Sequence, residues 1–372
     1  MSKQPSIRAF STPGAACIPV IITILYGGDV IDKDTLSLPD APALAGLVFR
    51  RFRGPSDYGA MGAVHEGSRE HDRVDTQSAR EGVPTAEDLA RRYAAVPPGT
   101  PDVLLAEIDG RVVGYNDVRQ RWTEETGTRV YLHLGYLLPA WRGRGIGSAL
   151  LHWSQARIRA VAVEERPAGP ATFATNVTTT EREADVLMRH AGYADVRRLT
   201  DMLLEPLRAG AAAPPPVGMT LRPIEPGDYR AVYRAWKEAF AGIWTSTPES
   251  EADYQRFMAN NIGVPDLDPA LYQVAWVGDE VAGLVFARIQ RGVGTIPEVA
   301  VRPAWQRRGI ARALMAAALQ GLHDRGMTQA RLATDAADGR GARSLYEGFG
   351  FREVKQYIFY RKPLDEGVPR AG

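Results

Sequence analysis

Two segments of this 372-residue chain repeat one arrangement of strand, Gly-rich turn and helix. In each segment an apolar strand ends in Pro-Ala-Trp, a turn of glycine and arginine follows, and an apolar helix is predicted to begin. The turns are residues 142–147 (RGRGIG) and 306–311 (QRRGIA). A Gly turn at a helix N-terminus directs several N–H groups to one place, and the helix dipole adds positive charge there. Both segments therefore predict a site for an anionic group such as a pyrophosphate.

The repeat extends over most of the chain and indicates two domains. Residues 209–217 (AGAAAPPPV) are predicted to form the linker, because consecutive prolines favour stiff, extended backbone. The halves on either side, residues 47–208 and 218–364, align element by element, which chance similarity rarely produces. We interpret residues 1–46 as an N-terminal extension and residues 365–372 as a flexible tail.

Each half is predicted to contain a strand, two helices, three strands, a helix, a strand, a helix and a last strand that closes that half. The first two of the three central strands form a hairpin, marked by Asp109-Gly110 in one half and Gly278-Asp279 in the other. The chain is therefore predicted as an α/β protein of two tandem domains, each with a mixed central sheet flanked by helices.

The spacing of the turns excludes two common phosphate-binding loops. Neither turn has the G-x-G-x-x-G pattern and later acidic residue of a dinucleotide site, and neither contains the G-K-[ST] of a nucleotide triphosphate loop. The shared pattern R/Q-x-x-G-x-G/A resembles the acyl-CoA-binding signature of the GNAT superfamily of N-acetyltransferases. This resemblance implies two GNAT domains with acetyl-CoA as co-substrate. The turn residues that it assigns to acetyl-CoA are Arg142, Gly143, Arg144, Gly145, Ile146 and Gly147 in the first half and Gln306, Arg307, Arg308, Gly309, Ile310 and Ala311 in the second.

The halves differ at a position that matters for catalysis. Residues 342–351 of the second half resemble the family's A-x-x-L-Y-x-x-x-G-F, whose tyrosine, here Tyr346, commonly gives a proton to the departing CoA thiolate. The first half has Met188 at this place, and a thioether has no proton to donate. We expect the second half to be catalytic and the first to keep its acyl-CoA turn with lost or weakened chemistry. The alternative role for Tyr346 is a core aromatic that contacts CoA.

A base for the acceptor amine is predicted in the strand before the second turn. An alkylammonium has a pKa of about 10, so it must lose a proton before it attacks. Glu298 is our candidate, although family members usually carry the glutamate a few residues earlier, near Thr295. A salt bridge or a water-chain contact is the alternative for Glu298, and Asp335 and Asp338 are the next candidates for the base. His133 of the first half is a weaker one, since a lone strand histidine is more often structural.

The family also holds the thioester carbonyl with exposed N–H groups of this strand, which implies Val299, Ala300 and Val301 here. Trp244 follows the predicted helix and is expected to line the acceptor pocket of the second half. In the first half, residues 65–92 are long and mixed in charge, which predicts a solvated surface or a mobile lid.

Composition limits the partners. With 45 basic and 44 acidic residues the net charge is +1, so no global field attracts nucleic acid or anionic membrane. The single cysteine, Cys17, excludes an intramolecular disulfide and fits a reducing cytoplasm. The six histidines lack metal-ligand spacing, so no metal is expected. Residues 15–26 outline a short signal peptide, but an extension with a strand at residues 20–25 is the favoured interpretation.

These features predict an acetyl-CoA-dependent N-acetyltransferase that modifies a primary amine of a small molecule by direct transfer in a ternary complex. The tandem layout is also similar to that of the mycothiol synthase family, which pairs a silent half with an active one. A non-enzymatic acyl-CoA-binding sensor and a protein N-terminal or lysine acetyltransferase are the alternatives. We expect a cytoplasmic monomer or homodimer without a nucleic-acid or membrane partner.

Overall fold

Both halves follow the predicted order of elements, and the tandem α/β fold is confirmed. No helix in the described part of the chain is long and apolar enough to cross a membrane. The computed structural model describes residues 34–78, 81–94, 102–124, 126–210, 214–241, 249–265, 267–337 and 341–364.

The first half contains strands β1 (Thr35–Leu36), β2 (Leu47–Arg51), β3 (Val103–Ile108), β4 (Arg111–Thr123), β5 (Arg129–Leu137), β6 (Ala171–Thr178) and β7 (Ala194–Leu204), with helices α1 (Tyr58–Ser68), α2 (Ala86–Ala94), α3 (Ile146–Glu165) and α4 (Arg182–His190). The second half contains strands β8 (Thr220–Pro223), β9 (Tyr272–Val277), β10 (Glu280–Gln290), β11 (Val293–Val301), β12 (Ala330–Asp335) and β13 (Arg352–Pro363), with helices α5 (Tyr229–Ala239), α6 (Glu251–Asn261), α7 (Ile310–Asp324) and α8 (Ala342–Glu347).

In the described residues, these strands form one continuous sheet in the order β1-β2-β3-β4-β5-β6-β13-β7-β12-β11-β10-β9-β8. Both predicted hairpins, β3–β4 and β9–β10, are present and antiparallel. Asp109 and Gly110 both have positive φ, of 49° and 75°, which suits the twist of a two-residue hairpin. Parallel pairing occurs where a helix connects two neighbouring strands, between β5 and β6 and between β11 and β12.

The last strand of each half is exchanged with the other half. β13 lies between β6 and β7, so that Tyr360 pairs with Thr175 of the first half. β7 lies between β13 and β12, so that Leu203 pairs with Arg331 of the second half. The prediction that each half is closed by its own last strand is therefore wrong. The sequence does not distinguish the two arrangements, because β7 and β13 follow equivalent helices and suit either sheet edge.

The exchange buries side chains of one half in the core of the other. Ile358 and Tyr360 of β13 pack with Phe173 in the core of the first half. Met202 and Leu204 of β7 belong to the core of the second half. Full burial of an apolar side chain contributes about 1.5–3 kcal/mol, so the exchanged strands are a substantial part of both cores.

The described end of the N-terminal extension joins the first half. β1 pairs antiparallel with β2, and Leu36, Leu38 and Leu44 pack against the core beside α3. The strand predicted at residues 20–25 lies outside the described residues.

The described part of the segment between α1 and α2 is anchored to the second half. Arg291 Nη1 donates to the carbonyl oxygens of Thr76, at 3.2 Å, and Glu81, at 3.1 Å. The buried Lys355 donates from Nζ to Glu81 Oε2 at 2.9 Å. Many of the described residues of this segment are exposed, as the predicted solvated surface requires, and donors from a half that is remote in sequence bind parts of its backbone and side chains.

Candidate active site

The two Gly-rich turns have the same backbone conformation. Each follows a short 3-10 turn, Pro139–Trp141 or Pro303–Trp305. Gly145 and Gly309 then precede α3 and α7 with φ of 88° and 83°, a left-handed conformation that costs glycine little. One position differs, since Gly143 has φ of 70° where the second turn has Arg307 with φ of 63°.

The N–H groups of both turns are available to a ligand. Among the described residues, the N–H groups of positions 143–145 and 307–309 donate to no protein acceptor. A helix N-terminus leaves such donors unpaired and carries partial positive charge, so an anion satisfies both. The turns therefore fit the diphosphate of an acyl-CoA.

The first residue of each turn has the same role but different neighbours. Arg142 Nε donates to Leu137 O at 2.9 Å, and Gln306 Nε2 donates to Val301 O at 3.1 Å. Each side chain thus ties its turn to the end of the preceding strand. Arg142 also binds both oxygens of Asp72, at 2.6 Å each. This buried ion pair has no counterpart at Gln306, which is uncharged.

The strand before each turn separates from its parallel neighbour. Pairing of β5 with β6 ends at Leu132, and pairing of β11 with β12 ends at Thr295. Beyond Thr295, β11 is paired only with β10 in the described residues, so one edge of the strand is open. Val299, Ala300 and Val301 lie in this open stretch, where an exposed N–H group can reach a ligand.

Glu298 and Tyr346 lie around one apolar cluster of the second half. Glu298 Oε2 accepts a hydrogen bond from Trp236 Nε1 of α5 at 3.0 Å. Tyr346 is 7% exposed in α8 and belongs to the core cluster against which Trp236, Val299 and Val301 pack. The indole bond fixes the carboxylate of Glu298 at the strand that carries the open N–H groups.

The other base candidates are occupied or undescribed. Asp335 Oδ2 accepts a hydrogen bond from Arg197 Nε of β7 at 2.7 Å. Asp338 and Trp244 lie outside the described residues, so their predicted roles stay predictions.

A cavity of about 1270 Å³ lies in the first half, in front of its Gly turn. Gly143, Gly145 and Gly147 of the turn line it, and so does Met188 at the position of Tyr346. Met188 is 7% exposed, as Tyr346 is, so the two side chains are equally buried at equivalent places. Residues of the exchanged strand β13 complete the wall of the cavity.

The model of the protein family described as the acetyltransferase (GNAT) family matches residues 70–166 and 229–351, one stretch in each half. The chain belongs to the GNAT family. This agrees with the resemblance found in the turn sequences, and the protein is an N-acetyltransferase.

Relatives of this GNAT protein include proteins named mycothiol acetyltransferase. Those of Streptomyces scabiei and Streptomyces avermitilis are each 31% identical, over 69% of this chain and 79% of their own length. A solved GCN5-related N-acetyltransferase of Sphaerobacter thermophilus is 26% identical with a TM-score of 0.69, over 89% of this chain and 98% of that one. A tandem GNAT protein from the clavulanic acid biosynthesis pathway shares the fold, with 18% identity and a TM-score of 0.60, over 87% of this chain and all of that one.

The first GNAT half contains a polar cluster that the sequence reasoning missed. His65 Nε2 and the hydroxyl oxygen of Tyr115 are 2.7 Å apart, and the His65 ring lies 4.1 Å from that of Tyr136. Burial, followed by the charges of nearby arginines, lowers the pKa of His65 to about 4. His65 occupies the position in α1 that Trp236 occupies in α5. An alignment of these two helices would therefore have identified His65 as the counterpart of Trp236.

His133 is a buried member of the same cavity wall. It is 1% exposed, and its Nε2 lies 2.8 Å from the hydroxyl oxygen of Tyr193. Burial lowers the pKa of His133 to about 4, so the ring is neutral near pH 7. This fits the structural role that a lone strand histidine usually has.

Three possible metal ligands meet beside the first turn. His71, Asp72 and Glu183 each place one donor atom within 4.8 Å of the others. Asp72 is bound by Arg142, and His71 Nε2 lies 2.9 Å from Glu183 Oε1. Because these groups already have protein partners, we interpret them as an ion-pair network.

Proposed function

We propose that this GNAT enzyme transfers an acetyl group from acetyl-CoA to a primary amine of a small molecule, and that the second half performs the reaction. The observation that carries the proposal is the contrast between Tyr346 and Met188 at equivalent buried positions. Of these two side chains, only Tyr346 has a hydroxyl that can deliver a proton to a leaving group. Acetyl-CoA supplies the acetyl group as a thioester and leaves as the free thiol.

Binding in the second half rests on its turn. The N–H groups of Arg307, Arg308 and Gly309 would bind the diphosphate, because they lack protein acceptors at the positive end of α7. The open edge of β11 beyond Thr295 would direct an N–H group to the thioester carbonyl oxygen.

The proton transfers are assigned to two side chains. Glu298, oriented by Trp236, takes one proton from the ammonium of the acceptor. The amine nitrogen then bonds to the carbonyl carbon while the carbon–sulfur bond breaks. Tyr346 gives its hydroxyl proton to the sulfur and regains a proton from the second N–H of the amine. Glu298 releases its proton to water, so the ammonium form of the acceptor and the thioester give amide, thiol and one proton.

The substrate class follows from the relatives rather than from the site. Several relatives are named mycothiol acetyltransferase, which supports a small-molecule acceptor over a protein chain. We include the desacetyl form of mycothiol in the acceptor panel for this reason.

The test is thiol release from acetyl-CoA with a panel of small amines and of peptides with free N-termini or lysines. We expect release with a small amine, and a loss of about 10²–10³-fold in kcat for Tyr346→Phe, the size of a general-acid contribution. Met188→Leu, at the equivalent position of the first half, is the matched control and should keep the wild-type rate.

Other outcomes select the alternatives. Release only with peptides would indicate a protein acetyltransferase, and binding of acetyl-CoA without release would indicate a sensor. An unchanged rate for Tyr346→Phe would refute the assignment of the acid.

A further inference from the structure

Buried polar atoms without partners converge on the cavity of the first half. Within the described residues these atoms form no hydrogen bond, which is unfavourable for a buried polar group and calls for an explanation. The atoms are Glu81 Oε1, Arg92 Nη1, Asn116 Oδ1, Arg119 Nη2, His133 Nδ1 and Asn176 Oδ1, all on residues that line the cavity.

Two of these atoms are guanidinium donors, one on Arg119, which Asp117 binds directly, and one on Arg92. Asp117 Oδ2 accepts hydrogen bonds from Arg119 Nε at 3.0 Å and from the Tyr93 hydroxyl at 3.0 Å. Tyr93 neighbours Arg92 in α2, so this carboxylate connects β4 to the helix that carries the second guanidinium. Its bonds leave Arg119 Nη2 unpaired, and Arg92 Nη1 has no partner either.

Both guanidinium groups carry a positive charge that acts on His65. The neighbouring His65 is neutral near pH 7, because burial and the charges of Arg92 and Arg119 lower its pKa to about 4. Asp88 of α2 already forms an ion pair with Arg91 at 2.5 Å. Of the two guanidinium groups, only Arg119 is bound by Asp117. The cavity is also lined by carboxylates, of which Glu81 is bound by Lys355 and Asp72 by Arg142. A carboxylate ligand would therefore supply an acceptor for the unpaired Nη1 of Arg92 and Nη2 of Arg119. A guanidinium binds a carboxylate with directional, charge-assisted hydrogen bonds.

The donors are separate from the acyl-CoA turn. Arg92 and Arg119 lie in α2 and β4, whereas the diphosphate position lies at the start of α3. The cavity of about 1270 Å³ exceeds the roughly 300–1,000 Å³ of a pocket for one drug-sized ligand. It has room for a second molecule beside the arm of an acyl-CoA.

We propose that the first half binds a small molecule with one carboxylate, which Arg92 and Arg119 hold inside the cavity. This site is additional to the acetyl transfer assigned to the second half. It explains why two guanidinium donors are buried without partners in a half that lacks the catalytic tyrosine.

The test measures binding to the full chain by saturation-transfer NMR. The probes are acetate, butyrate, hexanoate and L-alanine, each compared with its primary amide, and inorganic phosphate. At least one carboxylate should bind about tenfold more tightly than its amide. Arg92→Gln and Arg119→Gln should each weaken that binding by about tenfold, while Arg91→Gln, whose side chain is 74% exposed on the same helix, should leave it unchanged.

A second readout separates binding from folding. Arg92 Nη1 has no hydrogen-bond partner to lose, so Arg92→Gln should keep or raise Tm in the absence of ligand. If Arg119→Gln does not fold, Arg92→Gln alone still tests the proposal. A lower Tm together with unchanged affinity would make Arg92 structural and overturn the proposal. So would the absence of any preference for a carboxylate over its amide up to about 10 mM, or tighter binding of phosphate than of every carboxylate.

Discussion

The two Gly-rich turns share a backbone but lie in different electrostatic surroundings. In the first turn, Arg142 is neutralised by Asp72 and approached by Glu183. In the second turn, an uncharged glutamine precedes Arg307 and Arg308, and neither arginine forms an ion pair within the described residues. The two turns therefore have the same backbone conformation but would present different net charge to a bound diphosphate. This difference supports our proposal that the second turn binds acetyl-CoA for catalysis, and four predictions test the comparison.

The largest effect is expected at Glu298, whose place in the first half is taken by Leu134. Glu298→Gln can still accept the hydrogen bond of Trp236 but cannot take a proton, so kcat/KM should fall by about 10²–10³-fold at neutral pH. The measurement is steady-state thiol release. Glu238→Gln, which removes an exposed carboxylate from α5, is the control and should have the wild-type rate. A rate for Glu298→Gln within a few-fold of wild type would remove Glu298 from the mechanism.

The next effect concerns the ion pair that only the first turn has. Arg142→Gln gives the first turn the residue of the second and leaves Asp72 buried without its partner, so the free energy of unfolding should fall by about 3 kcal/mol. The double variant Arg142→Gln with Asp72→Asn should recover most of this loss, because no unpaired charge remains. Chemical denaturation of the three variants measures both values. Equal stability of the single and double variants would contradict the argument.

A smaller effect is expected in acid, and it originates in the first half. The pKa of His133 is about 4 in the folded protein and 6.5 without burial, so between these values the unfolded chain binds the proton and the folded chain does not. The free energy of unfolding should therefore fall as pH decreases from 6.5 towards 4, by about 2 kcal/mol per buried histidine at pH 5.

The second half has Pro297 at the place of His133 and contributes no such term there. His133→Gln should flatten the decrease, measured by urea denaturation from pH 7 to pH 5. His190→Gln, an exposed histidine of α4, should leave the pH dependence as it is in the wild type. If both variants have the wild-type slope, the buried His133 is not its source.

The smallest effect tests the backbone of the turns. A Cβ at Gly309, where φ is 83°, would meet no atom closer than Pro216 Cγ at 4.0 Å, so strain is its main penalty. Strain of about 1–2 kcal/mol should raise the KM for acetyl-CoA by about tenfold in Gly309→Ala. Gly145→Ala should leave this KM unchanged, although it strains the equivalent place of the first turn. A raised KM for Gly145→Ala would show that the first turn takes part in the catalytic cycle.

Local patterns in the sequence predicted the order of elements, both hairpins and both turns. These features depend on periodicity, on turn residues and on a short motif, all within one stretch of chain. The contrast between Tyr346 and Met188 was visible for the same reason. The equivalence of His65 and Trp236 could also have been predicted from the sequence, because each lies in the first helix of its half.

Contacts between remote residues could not be predicted. Arg142 and Asp72 are 70 positions apart, and Arg291 and Thr76 are 215 apart. Nothing in either neighbourhood marks the partner, because many arginines and aspartates of the chain could satisfy the same geometry. The unpaired donors Arg92 and Arg119 were hidden for a related reason, since only the fold shows that they are buried.

The exchange of β7 and β13 makes the two halves interdependent. A chain cut in the linker would give two fragments, each presenting an uncovered sheet edge and an unmatched terminal strand. Each fragment could close its sheet only by moving its own last strand to the edge that the other half's strand covers in the intact chain. Because each half takes part of its core from the other, we expect the two halves to unfold together.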